Sequence, residues 1–402
     1  MSLFRALLHR PFALLWSGQT ISRLGDRFYN IAMAWWVLEK TGSAAAMGAM
    51  LIFSSVPMLI FLLIGGIAVD RYSRGRLMLA SDVLRGIVVA MVTTLALVDA
   101  LQIWHVYLAS VVFGFVSAFF QPAYTAIIPD ITPREFLPSA NSLTSLSGQI
   151  TGIAGPALGA IIIGLGGTSI AFAFDALSFF ISALCLLPII GLLANAPRTR
   201  SSGMLHEFRQ GVTAVFASPW LWITITLAGF MNLTQAGPWS VALPFFVKQN
   251  LNANVDTLGL LFSMSSLGAV LASVWLGHTT RLRRRGAVAY LSLVIWGAME
   301  VMVALALPLP FVLAAALVWG GSLAAFNLIW TNTLQELVPR DLLGRVASID
   351  GLGSFALLPI GYGVAGWATD LIGPGSVLIM GGALTAMLAT LGLLHPAIRG
   401  LE

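Results

Sequence analysis

AAAMGAMLIFSSVPMLIFLLIGGIAVDRYSRGRL, residues 44 to 77, sets the terms for the whole chain. Its first part, Ala44 to Val69, carries no charged residue. A helix needs roughly 20 apolar residues to cross the hydrocarbon of a bilayer, so this run is long enough to span one. The run then ends abruptly. Asp70, Arg71, Arg74 and Arg76 arrive within one short turn, and apolar residues resume at Leu77.

The same alternation of long apolar runs and short charged turns repeats to the C-terminus. Of 402 residues, 58% are hydrophobic and only 9% are charged. Soluble domains hold about 25% charged residues, so this chain has too few to cover a water-facing surface. Lipid offers the backbone no hydrogen-bond partners, which favours helices as the spanning element. A membrane barrel would show alternating segments of about 10 residues, and none is seen. The expected fold class is therefore all-α and integral to a membrane. The formal charge of +5 is spread over short loops, which suits membrane topology and not nucleic-acid binding. The single cysteine, Cys185, lies in an apolar run and permits no intramolecular disulfide.

Twelve spans are expected, near 13–38, 44–69, 77–98, 103–125, 140–165, 168–191, 220–247, 255–277, 286–307, 310–333, 344–367 and 374–395. The longest polar connection, 195–218, separates an N-terminal six-helix half, 1–194, from a C-terminal one, 219–402. Basic residues fall in alternate loops. Arg5, Arg10, Arg71, Arg74, Arg76, Arg134, Arg198, Arg200, Arg209, the Arg281 to Arg285 cluster, Arg340, Arg345 and Arg399 lie on one side, and only Lys40 and Lys248 on the other. By the positive-inside rule both termini and the central loop are cytoplasmic. The halves also resemble each other. PREFLPSANS, from Pro133, aligns with PRDLLGRVAS, from Pro339, and each joins the fourth span of its half to the fifth. Such pseudo-symmetry marks duplicated transporter folds, whose sites lie near the bilayer midplane.

Ionisable residues inside spans are costly and mark function or paired packing charges. Span one carries Arg23, Asp26 and Arg27, and span three carries Asp82 and Arg85. Asp175, Glu300 and Asp350 lie in spans six, nine and eleven. Arg23–Asp26 and Asp82–Arg85 are three apart, so each pair can share a helix face and fix packing. The functional reading needs an acid that changes protonation with access. Burial disfavours an ionised carboxyl and a nearby arginine favours it, so an acid moving between those settings can load and release a proton. Asp26 is the first candidate and Glu300, with no basic residue in its own span, the second. Asp175 and Asp350 read as structural. Gln19, Asn232 and Gln235 are candidates to line a cavity. Trp104, Trp220 and Trp222 sit near span ends and read as interface residues. Trp35, Trp36 and Trp296 fit either that role or stacking on a substrate. Phe119, Phe120, Phe179 and Phe180 read as packing.

The charged turn holds its loop in the cytoplasm, but that does not account for an acid or for Gly65 and Gly66, which let two backbones approach. Gly66, Asp70, Arg71 and Arg74 form a G-x-x-x-D-R-x-x-R pattern that resembles the loop motif of the major facilitator superfamily, with Ser73 in place of its usual glycine. The resemblance implies a gate in which Asp70, with Arg71, Arg74 and Arg76 around it, braces the start of the eleventh helix near Leu343 to Arg345. LLWSGQTISRLGD (14–26), the acid of FDALSFF (174–180) and QELVPRDLLGRVAS (335–348) resemble the third class of drug–proton antiporters, which includes macrolide efflux proteins and the enterobactin exporter. Gly155, Pro156 and Gly159, in IAGPALGA, resemble that family's fifth-span antiporter motif; a plain packing helix with small residues reads equally well. In that family the first and seventh spans line the cavity, which is what selects Gln19, Asn232 and Gln235.

There is no G-x-x-x-x-G-K-[ST] loop for a nucleotide, no metal spacing among the five histidines and no Gly-x-Ser-x-Gly nucleophile. No cofactor and no enzyme activity are expected. The expectation is a monomeric secondary transporter of a bacterial cytoplasmic membrane, exporting a drug-like or siderophore-type amphipathic molecule in exchange for protons. An uptake or uniport carrier of a metabolite or lysolipid is the main alternative.

Overall fold

The computed structural model describes residues 4–190, 204–278, 284–340 and 342–401, apart from the side chains at 63, 67, 70 and 204–208. The described secondary structure is helical. In chain order the helices are α1 (Arg10–Thr41), α2 (Ala44–Arg71), α3 (Arg74–Leu97), α4 (Ile103–Ile131), α5 (Leu137–Ile190), α6 (Met204–Ala217), α7 (Pro219–Gly237), α8 (Leu243–Gln249), α9 (Val255–Gly277), α10 (Arg285–Ala304), α11 (Leu309–Leu337), α12 (Leu343–Phe355), α13 (Leu358–Ile372), α14 (Pro374–Leu394) and the short α15 (Pro396–Arg399). Among the described residues nine stretches are long and apolar enough to cross a membrane, or ten with the bent pair Arg209–Ala217 and Pro219–Gln249. Helix α1 has the length, at 32 residues, but its middle carries Arg23, Asp26 and Arg27. One of the nine, Arg134–Ile190, holds 57 residues, enough for two crossings. It breaks at Gly167 (φ 79°, ψ 173°), between the positions expected for spans five and six. Only glycine takes that backbone conformation without strain. The count is consistent with the twelve spans expected.

Large apolar side chains such as Ile60, Met91, Leu108 and Leu184 are exposed along their helices. In water such surfaces would be aggregation sites, whereas in hydrocarbon they cost nothing. The helix ends follow local chemistry. Proline occupies the first turn of α1, α7 and α14, where its missing N–H leaves no bond unmade. Gly42 closes α1 in the left-handed conformation (φ 62°).

The chain divides into two compact units. The first comprises Met1–Gly42 and Ala49–Arg200, and the second Ser43–Gly48 and Ser201–Glu402. In the first, α1 packs along both parts of α5, and α3 on α4 and α5. Phe12, Leu15, Met78, Ile127, Leu143 and Leu186 form its buried cluster. In the second, α9 packs on α11, α10 on α11 and α14, and α7 on α12, α13 and α14. The expected central connection, 195–218, is helical over its described part. Helix α6 lies against α12, where Arg345 Nη1 donates to Gln210 Oε1 at 2.6 Å and Val215 joins Leu221, Ile225 and Val346 in a buried cluster. Residues 195–203, with Arg198 and Arg200, lie outside the described residues, as do Arg281 and Arg283.

The start of α2 belongs to the second unit through one carboxylate. Asp370 of α13 accepts from Ser43 Oγ (2.8 Å) and from the backbone N–H groups of Ala44 (2.7 Å) and Ala45 (3.0 Å). The first N–H groups of a helix have no partner within it, and the helix dipole favours a negative charge there. Losing such a cap costs about 1 kcal/mol. Asp370→Ala should therefore speed amide exchange at 44–48 by about fivefold; unchanged exchange would mean that the cap contributes nothing.

Candidate functional site

The basic turn tests the expected gate first. Arg74 Nη1 donates to Asp130 Oδ2 (2.6 Å) and to the carbonyl of Ala126 (3.0 Å), which ties the start of α3 to the end of α4. The second unit repeats this tie: Arg285 Nη1 meets Glu336 Oε2 at 2.5 Å, from the start of α10 to the end of α11. Asp130 and Glu336 each lie three residues before the repeated prolines, Pro133 and Pro339. Arg71 and Arg76 are exposed, and the side chain of Asp70, expected to reach Leu343 to Arg345, lies outside the described residues. Gly65 sits against the backbone of Ala118, but nothing described lies within 4 Å of where a Cβ at Gly66 would be.

The charges of the first unit converge on α1, α3 and α5, but not as the expected pairs. No ion pair joins Arg23 to Asp26 or Asp82 to Arg85. Asp82, fully buried, accepts from Ser182 Oγ (2.7 Å) and Gln19 Nε2 (3.3 Å), and the same Gln19 nitrogen donates to Ser182 Oγ (2.8 Å). Arg85 lies between aromatic faces, 4.3 Å from the Phe120 centroid and 5.6 Å from that of Phe179. A desolvated cation is well held by ring faces. These two phenylalanines, expected as packing, are therefore the guanidinium's seat. Asp26 lies within the field of Arg85 of α3 as well as of Arg27 and Arg23 of its own helix. Arg23 instead donates to the Thr144 carbonyl (3.2 Å) and lies over Tyr124 at 4.9 Å. Asp175 is buried beside Gly25, where a Cβ would come within 2.6 Å of its Oδ1, and Ser178 Oγ donates to its backbone carbonyl (2.7 Å). Gly155 and Gly159 seat α1: a Cβ at Gly155 would meet the Arg27 Cβ at 2.6 Å, and one at Gly159 the Phe28 Cα at 3.2 Å. Pro156 is buried between them. Their packing role is plain in the contacts.

In the second unit the two acids expected inside spans, Glu300 and Asp350, lie in different settings. Glu300 of α10 has no exposed surface and faces Gln235 and Trp319, near enough to interact but without the alignment of a hydrogen bond. Both Glu300 oxygens, both Gln235 side-chain polar atoms and the indole N–H groups of Trp296 and Trp319 have no hydrogen-bond partner among the described residues. Trp239 stacks on Trp319 at 3.8 Å, and Trp296 lies 5.7 Å from Trp319. This is an acid and an amide walled by three indoles.

One turn of α10 away, Trp296 also lines a partly open cavity of about 210 Å³ between α7, α10, α11 and α12. Asn232, expected in a cavity wall, is there, with its Nδ2 donating to the Ser354 carbonyl at 3.0 Å. Gln235 is buried with Glu300, and Gln19 belongs to the Asp82 cluster; neither lines this cavity. Asp350, read from sequence as structural, is on the cavity wall. Trp330 Nε1 donates to its Oδ2 at 3.0 Å and Ser354 Oγ to its Oδ1 at 3.4 Å. Trp330 and Trp220, one cavity residue and one expected interface residue, meet edge to face at 5.7 Å. A lone acid in span eleven followed by glycines was the available signal; its aromatic partner lies on another helix.

Comparison with known proteins agrees with this arrangement of helices. Macrolide efflux protein A of Streptococcus pyogenes is 22% identical over 396 residues, covering 97% of each chain. Multidrug efflux pump Tap of Mycolicibacterium fortuitum is 26% identical over 405 residues, covering 98% of this chain and 97% of that one. The fold is similar to that of a bacterial homologue of the iron transporter ferroportin solved in an inward-facing state, with a TM-score of 0.76 at 14% identity over 96% of this chain and 99% of that one. The sequence matches the Major Facilitator Superfamily over residues 15–349, and again over 225–399, and the chain belongs to that family of membrane transporters.

Proposed function

We propose that the protein is a proton-coupled exporter of an amphipathic small molecule. It works by alternating access between the halves 1–194 and 219–402, in a bacterial cytoplasmic membrane with both termini cytoplasmic. The observation that carries the coupling is Glu300: a carboxyl with no exposed surface, no cation in its own expected span, 286–307, and no aligned partner among the described residues. An acid so placed is stable in the membrane only if it can shed its charge or acquire a partner. Asp26 is the second proton-coupling residue, acted on by Arg85 from a different helix. The direction of transport rests on the full-length similarity to efflux proteins.

The test is accumulation of a fluorescent cationic dye and a labelled macrolide in an efflux-deficient bacterium, with and without a protonophore. Wild type should lower accumulation, and the protonophore and Glu300→Gln or Asp26→Asn should each abolish the effect. Protonophore-insensitive exchange, or higher accumulation in wild type, would replace this reading with uniport or uptake. Neither substitution mattering would remove both acids from the coupling role.

A further inference from the structure

We propose that the cavity between α7, α10, α11 and α12 is a binding subsite for the ammonium group of an organic cation, with Asp350 as its counter-charge. The inference deepens the export reading by fixing the sign of the substrate's charge and the residues that meet it. Among the described residues lining the cavity Asp350 is the one that carries a charge, and no lysine, arginine or histidine is among them. Its two donors, Trp330 Nε1 and Ser354 Oγ, are neutral. They orient the carboxylate without cancelling its charge. A carboxylate accepts about four hydrogen bonds, so two such donors leave acceptor capacity for a ligand.

The walls beside it favour an organic over an inorganic cation. Phe326 and Trp330 lie parallel (8°) with centroids 6.3 Å apart, and Trp296 lines the same space. Aromatic faces attract ammonium groups and supply no ligand atom to a metal such as Ca²⁺ or Mg²⁺, which takes six or more oxygen ligands. Asn232 and Asn327 add amide oxygens for hydroxyl or N–H groups. Size narrows the class further. The cavity, at about 210 Å³, falls short of the roughly 300–1,000 Å³ that encloses a whole drug-sized ligand. It takes an amine-bearing head, with the rest of the molecule extending through the open side.

The test uses the full-length purified protein in nanodiscs and two probes of matched shape. Benzyltrimethylammonium carries the charge, and neopentylbenzene is its neutral counterpart. Binding is read by calorimetry and by quenching of tryptophan fluorescence. Wild type should bind the cation at least about tenfold more tightly than the neutral probe. Asp350→Asn should bring the two close to parity, while Phe326→Leu should weaken the cation alone and leave the carboxylate in place. Should Asp350→Asn fail to fold, Phe326→Leu decides. Equal affinity of the two probes in wild type, no saturable binding of the cation, or unchanged selectivity in folded variants overturns the proposal. Neither a proton gradient nor flux enters the measurement. The export reading can therefore fail while this result stands, and the reverse.

Discussion

Arg85→Met should destabilise the folded protein by about 3–5 kcal/mol, the cost of removing one partner from a buried charge cluster. Arg85 is 6% exposed, and Asp26, Asp82 and Asp175 all feel its field. Asp82 keeps the two neutral donors Ser182 and Gln19, but Asp26 and Asp175 lose the attraction of Arg85. Each acid then stays ionised without a counter-charge or takes up a proton on folding, and either course costs stability. Phe120 and Phe179 are left facing space that the guanidinium had filled.

Three further variants separate charge from shape. Arg85→Lys restores a cation but not the flat guanidinium that lies on ring faces, so it should recover only part of the loss. Arg85→Met combined with Asp26→Asn or Asp175→Asn removes one uncompensated acid, so each double variant should lose less stability than its two single substitutions summed. Reversible unfolding of the purified protein in mixed micelles reads all four. Strict additivity would show that Arg85 packs between the rings and does not hold the acids. The same arrangement bears on coupling. In the proposed cycle, movement of α1 against α3 would change the attraction of Arg85 on Asp26 and with it the acid's hold on a proton.

What could be read from the sequence were the properties that one helix owns. Charge-free runs such as 44–69 gave spans, the expected division between spans five (140–165) and six (168–191) falls at the break at Gly167, and the repeated prolines at 133 and 339 exposed the duplication that the Arg74–Asp130 and Arg285–Glu336 ties repeat in space. What could not be read was which helix lies opposite which. Periodicity shows that Asp82 and Arg85 share a face, and so invites pairing them. Their partners instead come from Gln19 and Ser182, 63 and 100 residues from Asp82, and from Phe120 and Phe179. Asp350 is the same case. As a lone acid among glycines it reads as structural; only the nearness of Trp330 and Phe326 from α11 turns it into a wall of a cavity.

Adjacent glycines make the sharpest case, because sequence treats Gly65 and Gly66 alike. A Cβ at Gly65 would fall inside the contact shell of the Ala118 carbonyl oxygen on α4, whereas at Gly66 it would meet nothing within 4 Å among the described residues. Backbone cannot swing aside as a flexible side chain can. Gly65→Ala should therefore force α2 away from α4 and cost about 1–3 kcal/mol, the range for overpacking a close contact. Gly114→Ala should do the same from the other helix, since a Cβ there would run into the Ser54 carbonyl. Gly66→Ala should be neutral or stabilise by up to about 1 kcal/mol, because alanine narrows the unfolded ensemble and favours the helix. The same unfolding measurement compares the three. Equal losses at 65 and 66 would mean that α2 lies one residue out of this register. The expected split has a consequence for the loop motif: its own glycine, Gly66, leaves an open surface at the end of α2, and the close packing falls on the residue before it.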